Sequence, residues 1–208
     1  MVAAACARSA DPAALSSAPP TSATTSAVPA TTTSTSVPVV VVPYRVERRT
    51  TDAATADFES VVRSTLADGR GWSRAGFRIV AAADAEYRVV LAEGPEVDRL
   101  CAPYTTRSTY SCQLGPVVAL NADRWRTATL QWTGDLASYR VMLVNHEFGH
   151  LLGQHHPDVQ CPGPDRLAPV MAQQSTELRA CRPNPWPLDA EIERAARHDL
   201  PLAPPYER

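Results

Sequence analysis

A chain of 208 residues with 44% hydrophobic side chains is long enough for one ordinary domain and a tail. Its formal charge of -2 excludes the strongly basic surface by which nucleic acid or an anionic membrane is recognised. No stretch is apolar over the length needed to cross a bilayer, and a monomer is expected.

The N-terminus reads Met1-Val2-Ala3-Ala4-Ala5-Cys6. Small residues directly before a cysteine resemble the cleavage box of a bacterial lipoprotein, which makes Cys6 the expected lipidation site. Ala3 stands where such boxes usually carry Leu, and residues 1–6 then read as the remnant of a signal peptide that begins upstream. A frayed, unprocessed terminus is the alternative. A lipid on Cys6 would be the chain's one membrane contact; a free Cys6 thiol could instead mask a metal site.

Residues 7–42 are dominated by Ala, Ser, Thr and Pro without apolar periodicity. Such a segment buries too little surface to offset its ordering entropy, so a disordered linker is expected. The folded domain is assigned to residues 43–208, with a first strand led in from residue 39 and running to 46. Phe58, Val61, Val62, Thr65 and Leu66 fall at helical spacing, so a helix is expected over 57–67, stopped by Asp68-Gly69. Strands follow over 77–81, 87–92 and 116–121, with a loop over 101–112. A helix is expected from an N-cap at Asp135 to Gly153. Its stripe Ala137, Val141, Val144, Phe148 and Leu151 should pack under the sheet, with Tyr139, Leu143, His146, His150 and Gly153 facing a cleft.

Cys101, Cys112, Cys161 and Cys181 lie in the globular part and admit three pairings. The nearest-neighbour pairing, Cys101–Cys112 and Cys161–Cys181, closes short loops and is the one expected. An exported protein, extracellular or at the cell surface, would form both. The four tryptophans are read as core, and Asp158 and Asp165 as solvated loop residues.

The chemistry is concentrated in His146-Glu147-Phe148-Gly149-His150-Leu151-Leu152-Gly153-Gln154-His155-His156, which holds four of the five histidines. Histidines four apart share one helix face and are separated by about 6 Å along the axis, so both imidazoles can reach one ion. Glu147, one step round, is placed to contact water as general base. Gly153 can adopt the left-handed conformation that reverses the chain and brings His156 in as third ligand. His155 is the competing choice. Three histidines leave a coordination position open, as a catalytic zinc requires. Chance offsets in this composition would give the full pattern with a probability on the order of 10⁻⁵, so a coincidental surface helix is rejected.

HExxHxxGxxH is the signature of the metzincins, and the sequence resembles them at His146, Glu147, His150, Gly153 and His156. The resemblance implies a methionine on a turn beneath the zinc, and Pro169-Val170-Met171 matches it, Met171 being the last methionine in the chain. The wider stretch, including Cys161-Pro162-Gly163-Pro164 and Cys181-Arg182-Pro183-Asn184-Pro185-Trp186-Pro187, resembles an actinobacterial secreted family of unassigned substrate. Pro157-Asp158 after His156, and Gln173 where some metzincins carry a zinc-binding Tyr, are departures; no fifth ligand is expected.

The expectation is therefore an α+β, metzincin-like domain. A mixed sheet should lie over the active-site helix, with a small loop-rich C-terminal part below. It would hydrolyse peptide or protein substrates with one Zn2+ per chain, or else cell-wall peptides or other amides. A surface binding protein with a non-catalytic zinc is the remaining alternative.

Overall fold

The computed structural model describes residues 39–196. Cys6, the expected signal remnant, the linker up to residue 38 and the last twelve residues of the expected domain lie outside that range. The folded unit begins earlier than the sequence boundary at residue 43. Strand β1 (Val40–Arg48) takes in residues assigned to the linker, because Val42 and Tyr44 both point into the core.

Five strands form one mixed sheet in the order β2-β1-β3-β5-β4. Strands β2 (Phe77–Ala81) and β3 (Tyr87–Ala92) flank β1, both parallel to it. Strand β5 (Val117–Asn121) runs parallel to β3, and the short β4 (Cys112–Leu114) closes the edge antiparallel to β5. Gly115, at φ 53°, takes the positive-φ position of the tight turn joining β4 to β5. Pro43 is tolerated in an interior strand for a geometric reason. Even-numbered residues of β1 bond toward β2, as Val40 and Tyr44 do, so Pro43 faces the other side. There the β3 ladder starts only at Tyr44, and no N–H is missed.

Strands β3 and β5 are covered on both faces, β1 on one. Val42, Tyr44, Val89, Leu91, Val118 and Leu120 join the main core with helices α1 (Phe58–Ala67) and α4 (Leu136–Leu151). Val90, Ala92, Val117 and Ala119 turn to the other face, where Val97 of α2 (Gly94–Leu100) and Cys101 cover them. Helix α3 (Ala122–Thr127) leads from β5 toward α4. Asp57 fastens these helices together: its carboxylate accepts from Arg140 Nη1 at 2.6 Å and from Trp125 Nε1 at 3.2 Å.

Helix α4 departs from the expected two-striped pattern. Ala137 is exposed and Val141 half-buried, whereas every residue from Met142 to Gly149 is buried. The cause is the segment after His156, which packs on the side opposite the sheet: Asn145 Nδ2 donates to Pro185 O at 2.8 Å, and Met171 lies against Gly149. This C-terminal part ends in a short helix, α5 (Asp189–Ala196). Trp72, Trp125 and Trp132 are core, as expected, while Trp186 is half-buried with the Arg70 guanidinium 4.2 Å from its ring centre. Asp158 and Asp165 are exposed.

Both expected disulfides are formed, Cys101–Cys112 and Cys161–Cys181. They fit an extracellular protein. Among the described residues, no helix is long and apolar enough to cross a membrane. Each bridge closes a short loop, a constraint on the unfolded chain worth about 3 kcal/mol. Replacing Cys161 and Cys181 by serine should therefore lower unfolding free energy by about that amount in urea titrations. No change would mean that the bridge does not constrain the unfolded ensemble.

Candidate metal centre

The site is built on the last two turns of α4 and on the turn that ends it. Asp135 caps the helix at its start, accepting from Ser138 N–H at 2.6 Å. At its end the Gly153 N–H donates to His150 O and the Gln154 N–H to Gly149 O, both at 2.9 Å. That pair of bonds is a Schellman turn, and it needs the left-handed φ of 79° that Gly153 supplies. The chain therefore reverses where the sequence pattern placed the reversal, and His156 returns to the helix face carrying His146 and His150.

His156 Nε2 lies 3.2 Å from His146 Nε2 and 3.2 Å from His150 Nε2. The ligand atoms of all three lie within 4.8 Å of one another, and they form a group able to hold a metal ion. His155 is exposed beside them and is not part of the group.

The orientation of the rings is set by backbone carbonyls. His146 Nδ1 is 2.8 Å from Val170 O, and His150 Nδ1 is 2.8 Å from Gln154 O. A carbonyl can only accept, so each Nδ1 carries the proton and each Nε2 presents a bare lone pair. Burial, the largest cause, pushes the pKa of His146 down to about 3 and that of His150 to about 4, and lowers that of His156. The imidazoles are thus neutral and aimed at one point, the arrangement of metal-ligating histidines with their outer hydrogen bonds in place.

Distances test which ion would fit. Zinc binds imidazole nitrogen at about 2.0–2.1 Å, so two donors of a tetrahedral zinc stand about 3.3 Å apart. The two 3.2 Å separations match that edge length. A neutral, all-nitrogen donor set also suits zinc and disfavours magnesium or calcium, which require oxygen ligands.

Glu147 is buried and lines the same cavity, of about 490 Å³, as the three histidines. Among the described residues, none donates a hydrogen bond to its carboxylate. Burial alone pushes its pKa up to about 8.

Met171 is fully buried under this helix. A side chain at Gly149 would collide with its sulfur and would lie 2.8 Å from Trp72 Cζ2, so glycine is what admits methionine here. The Met171 turn is held from behind by groups that sequence reasoning missed. Glu191, on α5, accepts from Val170 N–H at 3.0 Å, Met171 N–H at 2.8 Å and Leu188 N–H at 2.8 Å. Gln174 and Asn184 form a second buried clamp: Gln174 donates to Pro169 O and Asn184 O, and Asn184 donates to Ala168 O. The one available signal was the hydrophobic spacing of Ile192 and Ala195 on an eight-residue helix, too short to stand out.

Glu191 thus acts on the site at one remove, through Val170 and its carbonyl to His146. Glu191→Ala should cost about 1–3 kcal/mol in urea unfolding, because backbone N–H groups are left without an acceptor. It should also weaken metal binding in a chelator competition, although no ligand is touched. Unaltered metal affinity in a destabilised variant would show that the turn does not orient His146.

No curated protein matches the chain. A family model does: the one described as "Protein of unknown function (DUF3152)" matches residues 15–189, most of the sequence, and the chain belongs to that family.

Proposed function

We propose that the chain is a zinc-dependent peptidase of metzincin type, acting outside the cell or, through a lipid on Cys6, at its surface. The observation that carries this reading is the pairing of three converging Nε2 atoms, those of His146 and His150 held as bare lone pairs, with a buried carboxylate that no described residue occupies. A purely structural three-histidine site would have no use for Glu147 facing the same cavity. Met171 beneath Gly149, with the Gly153 turn and His156, supports the metzincin likeness.

In this reading His146, His150 and His156 hold the zinc. A bound zinc supplies Lewis-acid chemistry there, polarising a carbonyl oxygen and acidifying water. Glu147 takes the proton from the water that attacks the peptide carbonyl, then delivers it to the nitrogen as the C–N bond breaks. Burial around Glu147 strengthens its field on the reacting atoms. The cavity wall formed by the Cys101–Cys112 loop and by residues 173–176 positions the extended substrate chain.

Purified protein should carry one zinc, lost on His146→Ala, His150→Ala or His156→Ala and retained on His155→Ala. Glu147→Gln should keep the zinc and lower peptide hydrolysis by at least 10²–10⁴-fold. The same variant should unfold at a higher temperature, since it removes an unpaired buried carboxyl group. Metal analysis, a digest of peptide and cell-wall fragments, and a thermal melt read all three. Zinc-loaded wild type and Glu147→Gln behaving alike across the digest would defeat the enzyme reading.

A further inference from the structure

The same cavity contains a second charged group that the hydrolytic chemistry leaves unused. Arg124, from α3, is the one arginine among the residues lining it, and Glu147 is the one acid. Its neighbours on the same helices are neutralised: Arg126 pairs with Asp52, Glu93 and Asp123, and Arg140 with Asp57. Arg124 has no such partner among the described residues. It donates only to backbone carbonyls, from Nε to Thr109 O at 3.1 Å and from Nη1 to Ala128 O at 3.0 Å.

Those bonds fix the guanidinium without neutralising it. Its backbone is fixed as well, since Asn121 Oδ1 caps α3 by accepting from Asp123 N–H and Arg124 N–H. Part of the Arg124 donor fork therefore remains for a ligand, with its orientation already set. The wall of the same cavity holds two hydroxyls 3.0 Å apart, Ser175 Oγ and, buried behind it, Tyr139 Oη. The Tyr139 hydroxyl is raised in pKa chiefly by burial, and both the Arg124 cation and the Glu147 carboxyl act on it electrostatically. Both charges are thus within electrostatic reach of Tyr139.

Resting on the peptidase reading, we propose that Arg124 and Ser175 form a subsite that takes a carboxylate of the substrate, with the buried Tyr139 hydroxyl holding Ser175 from behind. Tyr139 precedes Glu147 by eight residues on α4, a rise of roughly 12 Å. An extended peptide covers that distance in about three or four residues. The carboxylate therefore belongs within a few residues of the cleaved bond. It is supplied either by an Asp or Glu side chain or by a free C-terminus, and the enzyme selects acidic peptides or trims chains near their ends accordingly. A guanidinium already committed to two carbonyls loses little freedom on meeting a carboxylate, and the bond formed is charge-assisted.

The test uses labelled ten-residue peptides of Ala and Gly that scan one Glu, or one Gln, through every position. Each is made with a free and with an amidated C-terminus. Binding is measured on zinc-loaded Glu147→Ala protein, and cleavage of the same set on wild type. Glu should be favoured over Gln at a restricted position, or a free terminus over an amide, by about tenfold to hundredfold. Which contrast appears identifies the source of the carboxylate. Adding Arg124→Gln should abolish the contrast, and Arg124→Lys should retain part of it.

Because Arg124 also ties the Thr109 loop, a variant could fail by misfolding. Phenylglyoxal modification of the unaltered Arg124, read by peptide mass spectrometry, avoids that: Glu peptides should protect it and Gln peptides should not. Carboxylate-selective binding without wild-type cleavage would uphold the subsite and defeat the peptidase reading. Cleavage indifferent to both contrasts would do the reverse. Absence of binding by any peptide, or a preference that survives Arg124→Gln, would overturn the subsite.

Discussion

Two hydrogen bonds from imidazole to backbone organise the molecule: His146 Nδ1 to Val170 O and His150 Nδ1 to Gln154 O. Each fixes a tautomer, and each thereby turns a lone pair toward His156. An imidazole free to rotate or to exchange its proton would present a donor as readily as an acceptor. Both lone pairs meet His156 Nε2 at 3.2 Å, so a third bare lone pair there would be repelled unless a cation offset it. The fold keeps them there with backbone that is itself held in place.

The two carbonyls are supported by different means. Gln154 belongs to the turn that ends α4, so its position follows from the helix and from the left-handed Gly153. Its side chain also accepts from Arg194 Nε at 3.2 Å, linking the turn to α5. Val170 is remote in sequence and depends on tertiary structure: Glu191 grips its N–H, and Gln174 and Asn184 brace the residues around it. The Cys161–Cys181 bridge joins the loop after His156 to this same region. The loop-rich C-terminal part is thus the frame of the centre, and its few helical residues matter mainly through one buried carboxylate.

This division explains what could be read from the sequence. His146, His150, Gly153 and His156 lie within eleven residues, where helical periodicity and one left-handed glycine determine their relation. Strands β2 and β3 were legible from Val-rich runs, and the helix over 57–67 from its spacing. Contacts across long stretches of chain were not. Glu191 sits on a short helix whose role arises only when Val170 and Met171 fold onto it. Helix α4 reads as two-faced because its sequence alone does not reveal that residues near 171 and 185 cover its second side. Strand β4, helix α2 and helix α3 have three, seven and six residues, too few for periodicity to register. Arg124 is invisible for a related reason: only the fold shows that no acid among the described residues pairs with it.

We propose that these histidines hold one zinc through three Nε2 atoms, with one position open to a small ligand. X-ray absorption at the zinc edge of the purified protein tests it without any mutation. Such a centre should show four light-atom neighbours at about 2.0–2.1 Å, three of them carrying the multiple-scattering signature of imidazole. A sulfur neighbour near 2.3 Å, or fewer than three imidazoles, would contradict it.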